Sequence, residues 1–357
     1  MMLWEDLIGH EQQREWFRTA LQSERLASSF LFVGPVAIGK RTFARLLAKS
    51  LLCRRADPKM LAPCGKCEDC AQVDASTHPD LIQVSKPEDR AAMPIELLIG
   101  EREKRNREGL CHDISLKPYS GRRKVAILDD CDSLNVEGAN CLLKTLEEPP
   151  AGSVLILIGT GLQRQLPTIR SRCQSIIFRP LDEPQMSQLL QRCGFADDEA
   201  SGLELARRSE GNLTNAILLA DEEFSEFRNK LLSSLANRQV DFANIAKSCG
   251  AMVDAAGKDT RAKRDRMLRL FLASAQLYRG VTLLEASDNG ALPEKWRGDE
   301  VLLSSVNEIR QHWRGSVTAA TKCWDRCLQA VEQVQRNANQ TALLEAWAAD
   351  LAALSSR

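Results

Sequence analysis

The sequence predicts an α/β fold: a parallel, helix-covered five-stranded sheet within residues 1–180, followed by helices alone. Three observations carry this. The stretch Gly34-Pro35-Val36-Ala37-Ile38-Gly39-Lys40 lies between a short apolar run, residues 29–33, and an amphipathic run, residues 42–52, which reads as strand, glycine loop, helix. Four further apolar runs follow with helical stretches between them, as for strands buried in a parallel sheet. Beyond Pro180 such runs stop, and from about residue 241 the chain is rich in Ala and Leu and poor in glycine.

A length of 357 residues suits two or three domains. The expected division is 1–180 for the sheet domain, 181–240 for a small helical domain and 241–357 for a helical bundle. Lys plus Arg and Asp plus Glu each number 48, so the net charge is zero. No overall field then draws the chain to DNA or a membrane, and any nucleic-acid contact is local or shared with partners. No apolar run approaches the ~18 residues of a membrane span, the first residues lack a leader pattern, and a cytoplasmic location is expected. Twelve cysteines are many for a compartment in which disulfides are rare, so a cluster among them points to metal.

Taken in order, residues 7–24 form a helix packed ahead of the loop. Gly34 and Gly39 let the backbone turn its N–H groups inward, the helix start adds a positive dipole end, and Lys40 can reach the terminal phosphates of a nucleotide. The residue after the lysine is normally Ser or Thr, whose hydroxyl ligates Mg²⁺, and here it is Arg41. A guanidinium only donates and holds no cation. Thr42 is turned about 100° further round the helix. The loop is expected to accept ATP phosphates with poor Mg²⁺ support and little hydrolysis.

Cys53 ends the loop helix, and Cys64, Cys67 and Cys70 follow in two overlapping C-x-x-C steps. Four thiolates close a tetrahedral shell, which predicts structural zinc. An iron–sulfur cluster and unligated thiols are the rivals, the first without the usual close Cys-Pro. His78 precedes the second strand, residues 81–84, and reads as a hydrogen-bonded structural residue. The alternating charges of residues 101–108 read as a solvated helix face, and Arg122, Arg123 and Lys124 as a solvated basic run.

The third strand, residues 125–128, ends in Asp129 and Asp130. The first carboxylate at such a place holds Mg²⁺; the second is usually Glu, the base that activates water, and Asp130 is one methylene shorter. Residues 140–150 read as an amphipathic helix stopped by Pro149 and Pro150. Two more strands, 154–158 and 175–178, bracket a loop containing Ser171, Arg172 and Cys173. Further on, residues 261–269 read as a solvated basic face, and Cys323 and Cys327 as buried thiols on one helix face.

Together, the glycine loop, the four-cysteine module, Leu142-Leu143-Lys144-Thr145-Leu146-Glu147-Glu148-Pro149-Pro150 and Ser171-Arg172-Cys173 resemble the bacterial DNA polymerase III clamp-loader subunits, most of all the delta prime type. The resemblance covers about residues 7–220. It implies an AAA+ module with a zinc insertion, a helical lid and a C-terminal collar. It also implies a five-subunit ring with gamma/tau and delta partners, which uses ATP to open a sliding clamp and place it on primed DNA. In that family the Ser-Arg-Cys motif lends an arginine finger to a neighbour's nucleotide, which assigns the finger to Arg172. The lid arginine of an active subunit falls at Asn215. With Arg41 and Asp130, that departure implies a stator and not a motor. The alternative is an active gamma/tau-like ATPase. A zinc-dependent DNA-binding protein is disfavoured by zero net charge and the lack of a recognition helix.

Overall fold

Five stretches of the first 180 residues form the sheet: 29–33, 124–128 and 153–159 are buried on both faces, while 81–84 and 174–177 are partly exposed. The structure, a computed structural model, describes residues 2–57, 59–87, 90, 92–120, 122–209, 213–286, 299–312, 317–336 and 338–355, without the side chains of 214, 215, 218, 261, 312 and 335. It divides into two compact units, residues 1–185 and 186–357.

The first unit runs α1 (Glu11–Gln22), β1 (Ser29–Val33), α2 (Lys40–Leu52), α3 (Glu68–Asp74), β2 (Leu81–Val84), α4 (Glu96–Ile99), α5 (Leu110–Ser115), β3 (Lys124–Leu128), α6 (Val136–Glu147), β4 (Ser153–Gly159), α7 (Pro167–Arg170) and β5 (Gln174–Ile177). The strands are parallel and ordered β2-β3-β4-β1-β5. Strand side chains alternate between faces. Phe30 and Phe32 of β1 pack with Phe17, Phe43 and Phe178 on one face; Leu31 and Val33 join α4, α5 and α6 on the other. The Phe17 and Phe30 rings lie 4.9 Å apart edge to face, an arrangement that suits the ring quadrupoles. Paired register places Phe30 opposite Gln174 and Val33 opposite both Gly159 and Ile177. The glycine loop therefore leaves a central strand at one end of the sheet, while the start of β5 stands at the other.

Residues 101–108 are exposed as expected but form only a 3₁₀ turn, Arg102–Lys104, and not a helix. The cause lies at the ends of the segment. Gly100 and Gly109 take φ +82° and +93°, and a Cβ on either would meet backbone at 2.8 or 2.7 Å. Asn106 N–H closes the loop on the Ile99 carbonyl at 2.7 Å.

Helix α8 (Glu183–Arg192) follows, then α9 (Glu199–Arg208), α10 (Leu213–Ala220), α11 (Glu222–Ala236), α12 (Phe242–Asp254), α13 (Thr260–Ala286), α14 (Glu300–His312), α15 (Val317–Gln335) and α16 (Gln340–Ser355). Among the described residues the second unit contains no strand. Its core holds Phe271, Tyr278, Cys323, Cys327 and Trp347, whose indole N–H points at the Cys327 sulfur at 3.4 Å. Burial pushes the Cys323 and Cys327 thiols up to about 11 and about 12. The 261–269 segment is less solvated than its charges suggested. Arg266 donates to the Met252 carbonyl at 2.8 Å, and Arg269 lies over the Phe224 ring. Among the described residues no helix is long and apolar enough to cross a membrane.

Candidate functional site: a phosphate loop, a thiol cluster and a remote arginine

Gly34 must be glycine because a Cβ there would sit 2.3 Å from the Phe178 carbonyl oxygen. Gly39, at φ +96°, turns the chain into α2. Lys40 folds back over the loop and donates to the Gly34 and Pro35 carbonyls at 2.7 and 2.5 Å. Burial lowers its pKa against the opposing pull of Asp129 and Asp132. His10 braces the loop from α1's side, with Nε2 2.5 Å from the Ile38 carbonyl. Since a carbonyl only accepts, Nε2 carries the hydrogen.

Arg41 turns its Nε toward Asp129 Oδ2 at 3.6 Å. The carboxylate suited to a metal thus faces a guanidinium, and its other oxygen accepts the Asp130 N–H at 3.0 Å. Asp130 adopts the left-handed conformation at φ +56°. Thr42 is half-buried and lines a cavity of about 340 Å³ with Met2, Arg45 and Asp74. Lys40, Arg41, Asp129 and Asp130 are brought together, while Thr42 faces a cavity that Arg41 also lines.

One group escaped the sequence. Register places Thr160, next after Gly159, beside Gly34 at the loop end of the sheet. Its hydroxyl is buried with no partner among the described residues, and its N–H donates to Asp132 Oδ2 at 2.9 Å. Asp132 also accepts from Gln165, whose oxygen takes the Cys131 S–H. A Cβ at Gly159 would meet the side chains of Gln165, Asp132 and Cys131 within 2.9 Å, so any larger residue there would have to displace this cluster.

The four sulfurs of Cys53, Cys64, Cys67 and Cys70 all lie within 4.8 Å of one another. Cys53 and Cys67 are 3.7 Å apart. With Zn–S bonds of about 2.3 Å, a tetrahedron has edges of about 3.8 Å, so the donor set fits zinc. Backbone N–H groups of Cys64 and Cys70 point at the Cys53 and Cys67 sulfurs, both at 3.4 Å. The Lys66 amide brings the Cys64 thiol down to about 6, while burial raises Cys67 and Cys70.

His78 is no ligand. Its Nδ1 accepts the Asp80 N–H at 3.0 Å, and Nε2 faces Asp69 at 3.6 Å. Asp69 in turn accepts from Arg54 Nε at 3.0 Å. Arg122 is not a solvated side chain: its guanidinium donates to the carbonyls of Cys53 (2.8 Å), Arg54 (3.0 Å) and Ala56 (3.3 Å), where α2 runs into the cluster.

Arg172 stands just before β5, at the sheet end away from the loop. Its Nε and Nη2 donate to Glu147 Oε1 at 2.9 and 2.5 Å. Its Nη1 donates to the Thr168 carbonyl at 3.0 Å and the Ser171 hydroxyl at 3.2 Å. Cys173 packs into the core beneath, and burial pushes its thiol up to about 12. The Asn215 side chain lies outside the described residues, as do Gly211 and Asn212.

A parallel β2-β3-β4-β1-β5 sheet, a glycine loop after β1 and paired carboxylates after the adjacent-but-one strand β3 define an AAA+ phosphate-loop module. Residues 9–182 match the family described as DNA polymerase III, delta subunit. Over that region, just under half of the chain, it is similar to DNA polymerase III clamp-loader subunits of both the delta prime and the gamma/tau type. It is 32% identical over 253 residues to the tau/gamma subunit of Haemophilus influenzae, across 70% of this chain and 33% of that one. It is 39% identical over 162 residues to the delta prime subunit of Pseudomonas aeruginosa, across 45% of this chain and 46% of that one. With the delta prime subunit of Bacillus subtilis it shares 31% over 214 residues and 60% of each chain. The chain spans less than two thirds of the length of each of these relatives.

Proposed function

We propose that the chain is a delta prime-type stator of a clamp loader, giving Arg172 as an arginine finger to ATP on a neighbouring subunit. One observation carries this reading. Gln174 pairs with Phe30, whereas the phosphate loop begins after Val33. About 13 Å of strand therefore separates the arginine's end of the sheet from its own loop, which supports a role for Arg172 toward a phosphate on another chain rather than its own. At the loop itself, Arg41 in place of the Mg²⁺ ligand and against Asp129, with Asp130 for the usual glutamate, supports weak or absent hydrolysis.

In this reading residues 1–180 are the AAA+ module, 181–240 a lid and 241–357 a collar. The partners are gamma/tau and delta subunits in a ring of five, acting on a sliding clamp and primer–template DNA in the cytoplasm. The thiol cluster holds one structural zinc. A second reading, an active gamma/tau-like motor, is favoured by the longer alignment with tau/gamma.

The test is Arg172→Ala in a reconstituted ring whose other ATP sites are disabled. DNA- and clamp-stimulated hydrolysis at the facing site should fall about a thousandfold, or about 4 kcal/mol, while assembly and zinc content hold. Unchanged turnover refutes the finger and leaves scaffolding alone.

A further inference from the structure

We infer that Glu147 is the positioning residue of Arg172, and that the 142–150 segment exists to set it there; the inference rests on the arginine-finger reading above. Helix α6 starts at the loop end of the sheet, where the Asn135 side chain accepts the Gly138 N–H at 2.8 Å. Twelve residues carry it about 18 Å toward the opposite end. Pro149 and Pro150 then forbid continuation, since proline lacks an N–H and pushes its predecessor out of the helical region. The last helical residue is thereby fixed at Glu147, beside the guanidinium.

The contacts hold Arg172 from two elements. Glu147, from α6, takes the Nε and Nη2 edge on one oxygen, and the α7 turn takes Nη1 through the Thr168 carbonyl and Ser171 hydroxyl. Four of the five guanidinium N–H groups are committed, which leaves one on Nη2. The side chain stays 32% exposed, so the fixed plane is still presented outward. A charge set in place beforehand needs no reorganisation when charge develops on the phosphate it faces, and that is the gain from preorganisation. A half-exposed carboxylate contributes little to stability by itself. Its effect is on the direction in which Arg172 points.

The experiment uses the complete ring with only the facing site active and measures kcat and KM for ATP. The versions compared are the natural chain, Glu147→Ala, Glu147→Gln, Arg172→Ala and the double variant. Glu147→Ala should lower kcat roughly tenfold to a hundredfold with KM unchanged. Glu147→Gln keeps Oε1 as an acceptor and should recover most of that loss. The double variant should be no slower than Arg172→Ala, because a residue acting through Arg172 then has nothing to act on. A Glu147→Ala ring with unchanged or raised kcat overturns the inference, as does a double variant slower than Arg172→Ala. The two failures are distinct: a normal Arg172→Ala ring removes the finger itself, whereas a slow Arg172→Ala ring with a normal Glu147→Ala ring removes only the role of Glu147.

Discussion

Replacing Arg122 by Ala should cost the protein its grip on zinc. The side chain touches none of the four sulfurs, yet its guanidinium joins three carbonyls, of Cys53, Arg54 and Ala56, at 2.8 to 3.3 Å. These lie where α2 ends and its last carbonyls lack helical partners, a place that favours a cation. Hydrogen bonds from a charged donor are worth about 1.5–3 kcal/mol each when sheltered. Arg122 is half-exposed and the three share one side chain, so about 2 kcal/mol is expected for the set. Folding of the cluster and metal binding are one equilibrium, and that loss appears as about thirtyfold weaker zinc affinity. The assay is competition with a coloured chelator at fixed pH, on protein first shown to be colourless with one zinc per chain. Arg122→Lys should recover part of the loss, since a point charge replaces the fork. Wild-type affinity in Arg122→Ala, beside metal loss in Cys70→Ser, would refute the reasoning. Iron with acid-labile sulfide in the natural protein would refute the zinc assignment.

Two further outcomes follow from the phosphate loop. ATP turnover by the purified chain should stay near background, and robust turnover abolished by Lys40→Ala would identify a motor instead. His10, whose pKa burial pushes below the usual 6.5, favours the neutral ring in the folded state. The unfolded chain then takes up the proton more readily, so this stability is full above about pH 6.5 and is lost as pH falls below it. Thermal unfolding between pH 7.5 and 5.5 should show a steeper fall for the natural chain than for His10→Gln; equal slopes would refute the assignment.

The strands were legible because a parallel sheet covered on both faces demands near-continuous apolar runs, and Val125 to Leu128 or Val154 to Ile158 can be little else. Cysteine spacing disclosed the thiol cluster for a similar reason: sulfur chemistry leaves few other uses for it. The amphipathic pattern marks helix α6 from Asn140, yet it begins at Val136, and the sequence signal for that start is Asn135, a good cap. Arg122 was beyond reach because its partners are carbonyls, which every residue has. Thr160 likewise gains meaning only from the register that puts it beside Gly34. The alternating charges of 101–108 suggested a helix, and the glycines at both ends overruled them.

The separation of the phosphate loop and Arg172 by the length of the sheet gives the subunit a direction. Two copies related by a two-fold axis would make every contact twice, so a guanidinium set on a phosphate there would be matched by its reciprocal pair and the assembly would stop at two. Head-to-tail stacking instead leaves one loop and one arginine open at its two ends, and such contacts close into rings or run on as filaments. On the stator reading proposed above, a member that offers its arginine but makes poor use of one offered in return interrupts the cycle at its own seam, and a ring containing it would have a first and a last catalytic position.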